Sequence, residues 1–445
     1  MAGQVARQSA FGTGFWHLTW KARIGRKQIR SPGDRHRPVR VSIPAENGQG
    51  NEKPPVRIFV GSETMQFRAE RVFVWSVVQA RNPERRYDIY VMRNLQGYDR
   101  KRWVTGFSNY RYAIPYYCSL KGRAIYNDVD QVYLADPAEL FDADMEGNAL
   151  LAINDQDTSV MLMDCEKLAG LWSLVSAQNV VSHKRHRAPV LSENLWGTMS
   201  PEWNARDFEY KAGVSKVLHY TTLYKQPWAP FPDLYSYKVN ENAHVWHDLE
   251  ESADRAKYTI FNKNNPSDAF KEISTNAKHN LDGIPKIFDS APEVHIKHLK
   301  KLILDYELKH AIECGSRYLP SEIGKVKVRH IPLFSEESDG FWSNQTRTDA
   351  IISIDQLHHF SEEDIPWIIK ECFSIASRLF YLGVKVTSGT RRSSEGEEGA
   401  GLPKEWWEGQ LRLIGRQFPH VTAILATTTR EAPARALFTY IGKGR

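Results

Sequence analysis

The sequence predicts an α/β protein built from two modules, and three observations carry that reading. Strand, helix and strand follow one another between Val56 and Met92, the opening of a parallel α/β domain. A second alternation of strands and helices begins near His295. The chain has 445 residues, 41% hydrophobic and 25% charged, which leaves room for two or three domains of roughly 100–200 residues each. That composition excludes a wholly disordered or collagen-like chain.

Taken in order, Val56-Arg-Ile-Phe-Val60 is a β-rich run that ends at Gly61-Ser62, a buried strand feeding a loop. From Phe67 to Gln79, Val72, Trp75 and Val78 recur at helical spacing, and Asn82-Pro83 stops the helix. Tyr87–Met92 is the second strand. Third and fourth strands are expected at Arg123–Tyr126 and Ser159–Met163, the latter followed by a helix over Cys165–Ser176. A short strand, Lys216–His219, precedes a turn-rich run to Pro232. Residues 240–295 are polar, with a helix over Val245–Ala256 and breakers at Asn264-Asn265-Pro266 and Asp282-Gly283. In the second module a helix (His298–Leu308), two strands (His310–Glu313, Ala350–Ile354), a helix (Glu363–Leu379) and a strand (Tyr381–Val386) are expected. Gly389–Gly401 reads as a loop, and no internal repeat is visible. The expected organisation is a disordered basic tail (1–54), a first α/β domain (55–240), a helical extension or linker (241–294) and a smaller α/β domain (295–445).

Charge separates the tail from the body. Residues 1–53 hold ten Lys/Arg against three acids, +7, whereas the whole chain carries +6, so residues 54–445 carry −1. The basic excess therefore belongs to the tail, and a nucleic-acid partner is not expected, because such a partner calls for a basic patch on the folded surface. Phe11, Phe15, Trp16, Leu18 and Trp20 beside the basic run would suit a peripheral contact with an anionic membrane surface. The competing expectation is a solvated tail. The tail lacks the h-region of a secretory signal, and no stretch approaches the roughly 18–20 apolar residues of a membrane span. Cys118, Cys165, Cys314 and Cys372 lie far apart with no CxxC pair, which argues against a disulfide scaffold or zinc ribbon and fits a reducing, cytoplasmic setting. The location expected is cytoplasmic, with the tail offering contact at the inner face of the membrane.

The first chemical constellation is Asn127-Asp-Val-Asp130 at a strand end. Alternate strand residues point the same way, so Asp128 and Asp130 are expected to face one ion at the carboxyl edge of the sheet, where open α/β sheets place ligands. Hard divalent cations take oxygen ligands, and a diphosphate can supply the remainder. A lone Asp-x-Asp is weak, since surface turns produce it often.

Its surroundings sharpen it. Gly122-Arg-Ala-Ile-Tyr-Asn-Asp-Val-Asp-Gln-Val-Tyr-Leu-Ala-Asp-Pro-Ala-Glu-Leu-Phe141 resembles the metal-site segment of glycosyltransferase family 8, the glycogenin and lipopolysaccharide galactosyltransferase family. There a strand ends in Asp-x-Asp, and the following helix starts D-x-x-E-L-F, here Asp136-Pro-Ala-Glu-Leu-Phe141. The family's downstream H-[FY]-x-G-x-x-K-P-W looks like His219-Tyr-Thr-Thr-Leu-Tyr-Lys225-Gln-Pro-Trp228. Trp203-Asn204 looks like the family's W-N, and Arg111 in Tyr110-Arg-Tyr-Ala-Ile-Pro115 like its Arg before a short apolar run. The resemblance spans residues 56–230, and the fold it implies, taken over about residues 56–290, is the GT-A nucleotide-sugar transferase fold, a mixed, mostly parallel sheet flanked by helices. The sequence departs from the pattern at Thr222, where the family has Gly, at Gln226, inserted before Pro-Trp, and at Asp157-Thr-Ser-Val160, where the family has N-S-G-V.

The resemblance implies a glycosyltransferase that moves a sugar, with retention, from a nucleoside diphosphate sugar to a glycan, lipid-linked or protein acceptor. Asp128, Asp130 and His219 would hold a divalent cation, and two carboxylates with an imidazole favour Mn2+ over Mg2+. The cation and Lys225 would neutralise the departing diphosphate. Arg111 would contact the diphosphate or buttress an aspartate. Ser62 and Glu63 stand where the nucleotide base sits, and Asp157 is the nearest carboxylate to the sugar, the candidate nucleophile. Each has a plainer reading too: a structural histidine, a solvated lysine, an arginine paired to a neighbouring acid.

In the second module, His310-Ala-Ile-Glu-Cys-Gly-Ser316 resembles the first strand and glycine loop of class I S-adenosylmethionine methyltransferases, with only Glu313 and Gly315 kept and Arg317 where a glycine belongs. Asp349-Ala-Ile-Ile-Ser-Ile-Asp-Gln-Leu-His-His-Phe-Ser-Glu-Glu-Asp364 resembles that family's fourth strand, and Pro403 to Phe418, with Trp406-Trp407, the late part of such a domain. The stretch between Ser316 and Asp349 is too short for the helix and two strands of an intact domain, so an abbreviated, Rossmann-like module without S-adenosylmethionine is expected. Two other functions compete with sugar transfer: a non-catalytic nucleotide-sugar-binding or scaffold protein, and a methyltransferase with an N-terminal sugar-binding domain.

Overall fold

The first paired segment is Val39–Ile43 (β1), inside the stretch expected to be a disordered tail. It lies antiparallel to Tyr87–Met92 and carries Val41 and Ile43 into the core, so order begins before Val56. The correction has a plain cause. Val39-Arg-Val-Ser-Ile43 alternates apolar and polar residues, the pattern of a half-buried strand, but the basic residues around it dominate the local composition. In this computed structural model the described residues are 37–46, 53–98, 103, 105–272, 292–315, 319–331, 347–386, 401–429 and 432–442. Most of the basic tail, the expected loop at residues 389–400, and Ser316 and Arg317 of the glycine loop lie outside them. The chain forms two units, divided between Ile260 and Phe261.

In the first unit, Val56–Gly61 (β2) leads through a helix, Phe67–Ala80, to Tyr87–Met92 (β3). Arg123–Asp128 (β4) follows, then Gln131–Tyr133 (β5), Leu150–Ala152 (β6), Val160–Asp164 (β7), Trp196–Thr198 (β8), Ala205–Arg206 (β9) and Val217–His219 (β10). The main sheet runs β1-β3-β2-β4-β7-β6-β8. Strands β3, β2 and β4 are parallel, while β7 is antiparallel to β4, which makes the sheet mixed. Strand β2 lies inside the sheet between β3 and β4, and its Val56, Ile58, Phe59 and Val60 are wholly buried. Burial of each such side chain contributes about 1.5–3 kcal/mol. The helix buries Val72 and Trp75 of the expected spacing together with Phe73 and Val77, while Val78 is only half-buried.

Because β3 lies on one side of β2 and β4 on the other, the chain reverses direction across the sheet between β2 and β4. Open sheets leave a crevice at the carboxyl ends of strands at such a point. Gly61 and Asp128 are register partners there. A Cβ on Gly61 would come within 2.4 Å of Phe107 Cδ2 and 2.7 Å of Tyr126 Oη, so the close approach needs glycine. A second, small sheet runs β5-β10-β9. The expected helix over Cys165–Ser176 is two short ones, Cys165–Leu168 and Leu174–Asn179, parted at Gly170. Each has a side-chain cap, Asp164 and Ser173 respectively. The helix Ala243–Arg255 belongs to this unit and is held by ion pairs from Arg68 to Glu250 (2.8 Å) and from Arg71 to Asp254 (2.8 Å).

The second unit is a seven-stranded sheet. Its strands are His310–Cys314 (β11), Glu322–Ile323 (β12), Val326–Ile331 (β13), Thr348–Ile354 (β14), Ala376–Lys385 (β15), Thr422–Thr429 (β16) and Ala432–Ile441 (β17), in the order β12-β13-β11-β14-β15-β16-β17. Strands β13 to β16 in that order are parallel, and the two edges are antiparallel. The helix expected over Glu363–Leu379 stops at Ile375, and Ala376–Leu379 already belongs to β15. The apolar spacing fits a helix through Leu379, but Ala376 and Leu379 pair with the parallel strand β14, and Leu379 also with β16, instead. All four cysteines are buried and unbridged. Though far apart in sequence, Cys118 lies against Cys165 and Cys314 against Cys372. Among the described residues, no helix is long and apolar enough to cross a membrane.

Candidate metal centre

Three side chains from three places meet at the carboxyl edge of the first sheet. Asp128 is the last residue of β4, Asp130 lies in the two-residue turn to β5, and His219 is the last residue of β10. The two aspartates therefore do not sit on one strand as alternation suggested; the turn brings the second one round. The histidine arrives by register, because β10 runs antiparallel to β5 with His219 opposite Gln131, the residue after Asp130. One ligand atom from each of Asp128, Asp130 and His219 lies within 4.8 Å of the others.

Asp128 is held from one side. Its Oδ1 accepts from Arg111 Nη2 at 2.8 Å and from the Tyr126 hydroxyl. Among the described residues no hydrogen bond reaches Oδ2. Arg111 is itself buried, donates to the Thr158 carbonyl at 2.5 Å and hydroxyl at 3.1 Å, and lies 4.3 Å over the Tyr126 ring. Arg111 and Asp128 thus form an ion pair at 2.8 Å. Burial pushes the Asp128 carboxyl above its ordinary range, against the pull of Arg111. Burial likewise acts to lower the arginine's value, but Asp128 beside it outweighs that and holds it above normal.

Asp130 has its two oxygens in different surroundings. Oδ2 accepts from Gln226 Nε2 at 3.2 Å, while Oδ1 is buried, lies 3.2 Å from His219 Nε2 and has no hydrogen bond. The other ring nitrogen of His219, Nδ1, donates to Asn204 Oδ1 at 2.8 Å. Burial works to lower the histidine's value, yet Asp130, through its charge and its contact, keeps it raised. An unsatisfied buried carboxylate oxygen, a second carboxylate and an imidazole with its far nitrogen committed elsewhere form a donor set that fits a divalent cation. Oxygen and nitrogen ligands to one ion lie roughly 2.0–2.6 Å from it, hence no more than about 5 Å apart, and the 4.8 Å cluster satisfies that.

The remaining expected residues lie around this centre. Lys225 ends a short 3-10 turn, Leu223–Lys225, six residues after His219, half-buried and with no side-chain hydrogen bond or ion pair among the described residues. Asp207 pins the loop between them, accepting from the Thr221 hydroxyl (2.9 Å) and from the Thr222 amide (3.3 Å) and hydroxyl (3.2 Å). Thr222 has φ −88°, so this backbone does not require a glycine, and its hydroxyl anchors the loop. Ser62 and Glu63 follow β2 at the same edge but are engaged elsewhere. The Ser62 hydroxyl donates to Glu70 at 2.9 Å, and Glu63 Oε1 accepts from the Gly106 amide at 2.6 Å.

Asp157 is the most heavily bonded of the set. It accepts from the Ser159 amide (3.0 Å) and hydroxyl (2.5 Å), from Asn204 Nδ2 (2.8 Å) and from Arg206 Nη2 (2.7 Å). Burial raises its carboxyl, but these donors together bring it below the ordinary value. With Asn154, Asp155, Gln156 and Arg206 it lines a polar cleft of about 410 Å³. Asn204 is the link between that cleft and the centre. Sequence reasoning noted it only as half of Trp-Asn and did not foresee its bond to His219. Tyr126 was also missed, although its position two residues before Asp128 on β4 puts both on one face.

No family model matches the chain, and no curated protein matches it. Among solved structures it is similar to the galactosyltransferase LgtC in complex with donor and acceptor sugar analogues. Identity there is 13%, with 44% of this chain and 96% of that chain covered and a TM-score of 0.33. It is also similar to the glycosyltransferase GlyE of Streptococcus pneumoniae TIGR4, at 12% identity over 78% of this chain and 94% of that chain, TM-score 0.33. Mouse xyloside xylosyltransferase 1 is similar at 12% identity over 38% and 99% respectively, TM-score 0.27. Likenesses of this size transfer no residue role to this chain.

Proposed function

We propose that the first unit is a GT-A-type, metal-dependent glycosyltransferase. It would move a sugar from a nucleoside diphosphate sugar to a glycan, lipid-linked or protein acceptor, with retention. The observation that carries this reading is the meeting of Asp128, Asp130 and His219 at the point where the sheet reverses direction. The sequence motifs of the family run through the same three residues.

Asp128, Asp130 and His219 would hold a divalent cation, which would supply positive charge for the departing diphosphate. The chain's own residues do the rest. Arg111 and Tyr126 fix Asp128, so its free oxygen is aimed without reorganisation. Asn204 fixes the His219 ring so that Nε2 faces the aspartates. Lys225, tethered by the loop that Asp207 pins, neutralises the departing diphosphate. The polar cleft beside Asp157 offers hydrogen-bonding partners to a polyhydroxylated substrate. The bonds that occupy both Asp157 oxygens support a positioning role for it rather than that of nucleophile.

The second unit is proposed as an accessory α/β module. A Cβ on Gly315 would come within 2.3 Å of Gln356 Cγ, so the space over the end of β11 holds a side chain. That supports a module without an S-adenosylmethionine site.

Calorimetric titration of a panel of nucleoside diphosphates into the full chain, with and without Mn2+, tests the main reading. Mn2+-dependent binding in wild type that disappears in Asp130→Ala is expected. Absence of binding by every nucleotide to wild type would overturn sugar transfer and leave a scaffold protein.

A further inference from the structure

Gln226 is the residue that interrupts the Lys-Pro-Trp run, and in sequence it looks like an intrusion. The structure gives it a specific place. Its side chain is 2% exposed, and its Nε2 donates to Asp130 Oδ2 at 3.2 Å and to the Tyr220 carbonyl at 3.2 Å. The Tyr220 amide in turn donates to the Asp130 carbonyl at 2.9 Å. The other end of the Gln226 amide, Oε1, is buried without a hydrogen-bond partner. The backbone on both sides is anchored. The Gln226 amide closes the preceding 3-10 turn on Leu223, and Trp228, two residues on, is buried with its indole N–H donating to Gln66 Oε1 at 2.6 Å.

We infer that Gln226 is a positioning residue for the metal centre, orienting the Asp130 carboxylate so that Oδ1 is the atom presented beside Asp128 and His219. The inference rests on the metal-centre reading and deepens it. A carboxylate can turn about its Cβ–Cγ bond and offer either oxygen. Asp130 Oδ2 is occupied by the amide of Gln226, whereas Oδ1 is buried, accepts no hydrogen bond and faces His219 Nε2 at 3.2 Å. The carboxylate is thus locked by a neutral donor, which adds no charge to compete with a cation. Partners that hold metal-ligating carboxylates typically contribute 10–100-fold to metal affinity.

The probe is Mn2+ alone, titrated into the full chain and followed by electron paramagnetic resonance and by the relaxation of water protons. Gln226→Met keeps length and burial but removes the donor; Gln226→Asn keeps the amide but shortens its reach. Metal-free melting curves report folding, so one variant serves if the other does not fold. The expected result is Mn2+ affinity lower by about 10–100-fold and higher water relaxation per bound ion, as solvent replaces the freed carboxylate oxygen. Affinity within twofold of wild type with unchanged relaxation would overturn the inference while leaving the metal centre intact. No Mn2+ binding by wild type would instead remove the metal centre itself.

Discussion

Asn204 Oδ1 lies 2.8 Å from His219 Nδ1, and this contact decides which ring nitrogen faces the two aspartates. An amide oxygen only accepts, so Nδ1 carries the proton and Nε2 is left as the metal-binding atom. Asn204→Leu removes that constraint and also strips donors from Asp157 and Ser159. Mn2+ affinity is expected to fall about 10–100-fold, with a stability loss of roughly 1–3 kcal/mol from the unpaired groups. Metal titration and chemical denaturation of the same variant check the two parts separately.

Lys225 is proposed to meet the diphosphate and not the cation. Lys225→Ala is therefore expected to leave the affinity for Mn2+ alone unchanged. Nucleoside diphosphate binding in the presence of Mn2+ should weaken by about 10–150-fold, since a charge-assisted hydrogen bond contributes about 1.5–3 kcal/mol. A parallel loss of Mn2+ affinity would place the lysine against the metal ligands instead.

Asp157→Asn separates structure from chemistry. The variant loses the charge that pairs with Arg206 at 2.7 Å and keeps the shape. A lower melting temperature is expected, with Mn2+ binding close to wild type, because Asn204 retains its bond to His219. Product formation reduced but still measurable supports the positioning role. A covalent sugar adduct trapped on Asp157 in the wild-type protein would restore the nucleophile.

One buried and one half-buried histidine, His186 and His183, make the first unit sensitive to acid. Burial lowers His183 to about 3 and His186 to about 4; His186 stacks on Tyr112 at 3.8 Å. Both stay neutral when folded, whereas the unfolded chain protonates them below about pH 6.5. Stability is full above that value and falls as pH drops toward the folded values, by about 1.4 kcal/mol per pH unit for each histidine. His219, held above its ordinary value, acts in the opposite sense. Comparing wild type with His186→Gln between pH 7.5 and 5.0 isolates the effect. The variant should show the shallower decline in melting temperature.

The sequence made the local parts legible and the long-range pairings illegible. Strand β2, the helix after it and β3 follow from runs whose own periodicity decides their state. Asp128, Asp130, His219 and Lys225 were found because motif spacing survives without knowledge of contacts. What brings His219 to Asp130 is the antiparallel register of β10 with β5, and a three-residue strand carries too little pattern to reveal its partner. The switch from helix to strand at Ala376 failed for the same reason, since two neighbouring strands decide it. Gln226 and Thr222 looked like departures because a family pattern records identities and not hydrogen bonds. In the fold, one braces Asp130 and the other ties its loop to Asp207.

The edge position of β1 has a practical consequence for anyone trimming this chain. Cutting at Val56, where the conspicuous β pattern starts, would strip the cover from β3. The unmasked strand is six residues long, largely buried in the intact protein, and loses the Arg40 guanidinium that grips Asp88 at 3.0 Å. A bare row of amides and carbonyls on such a strand is a template for intermolecular pairing. The shortened protein should therefore associate with itself and precipitate, whereas one beginning just ahead of Arg37 keeps β3 paired with β1.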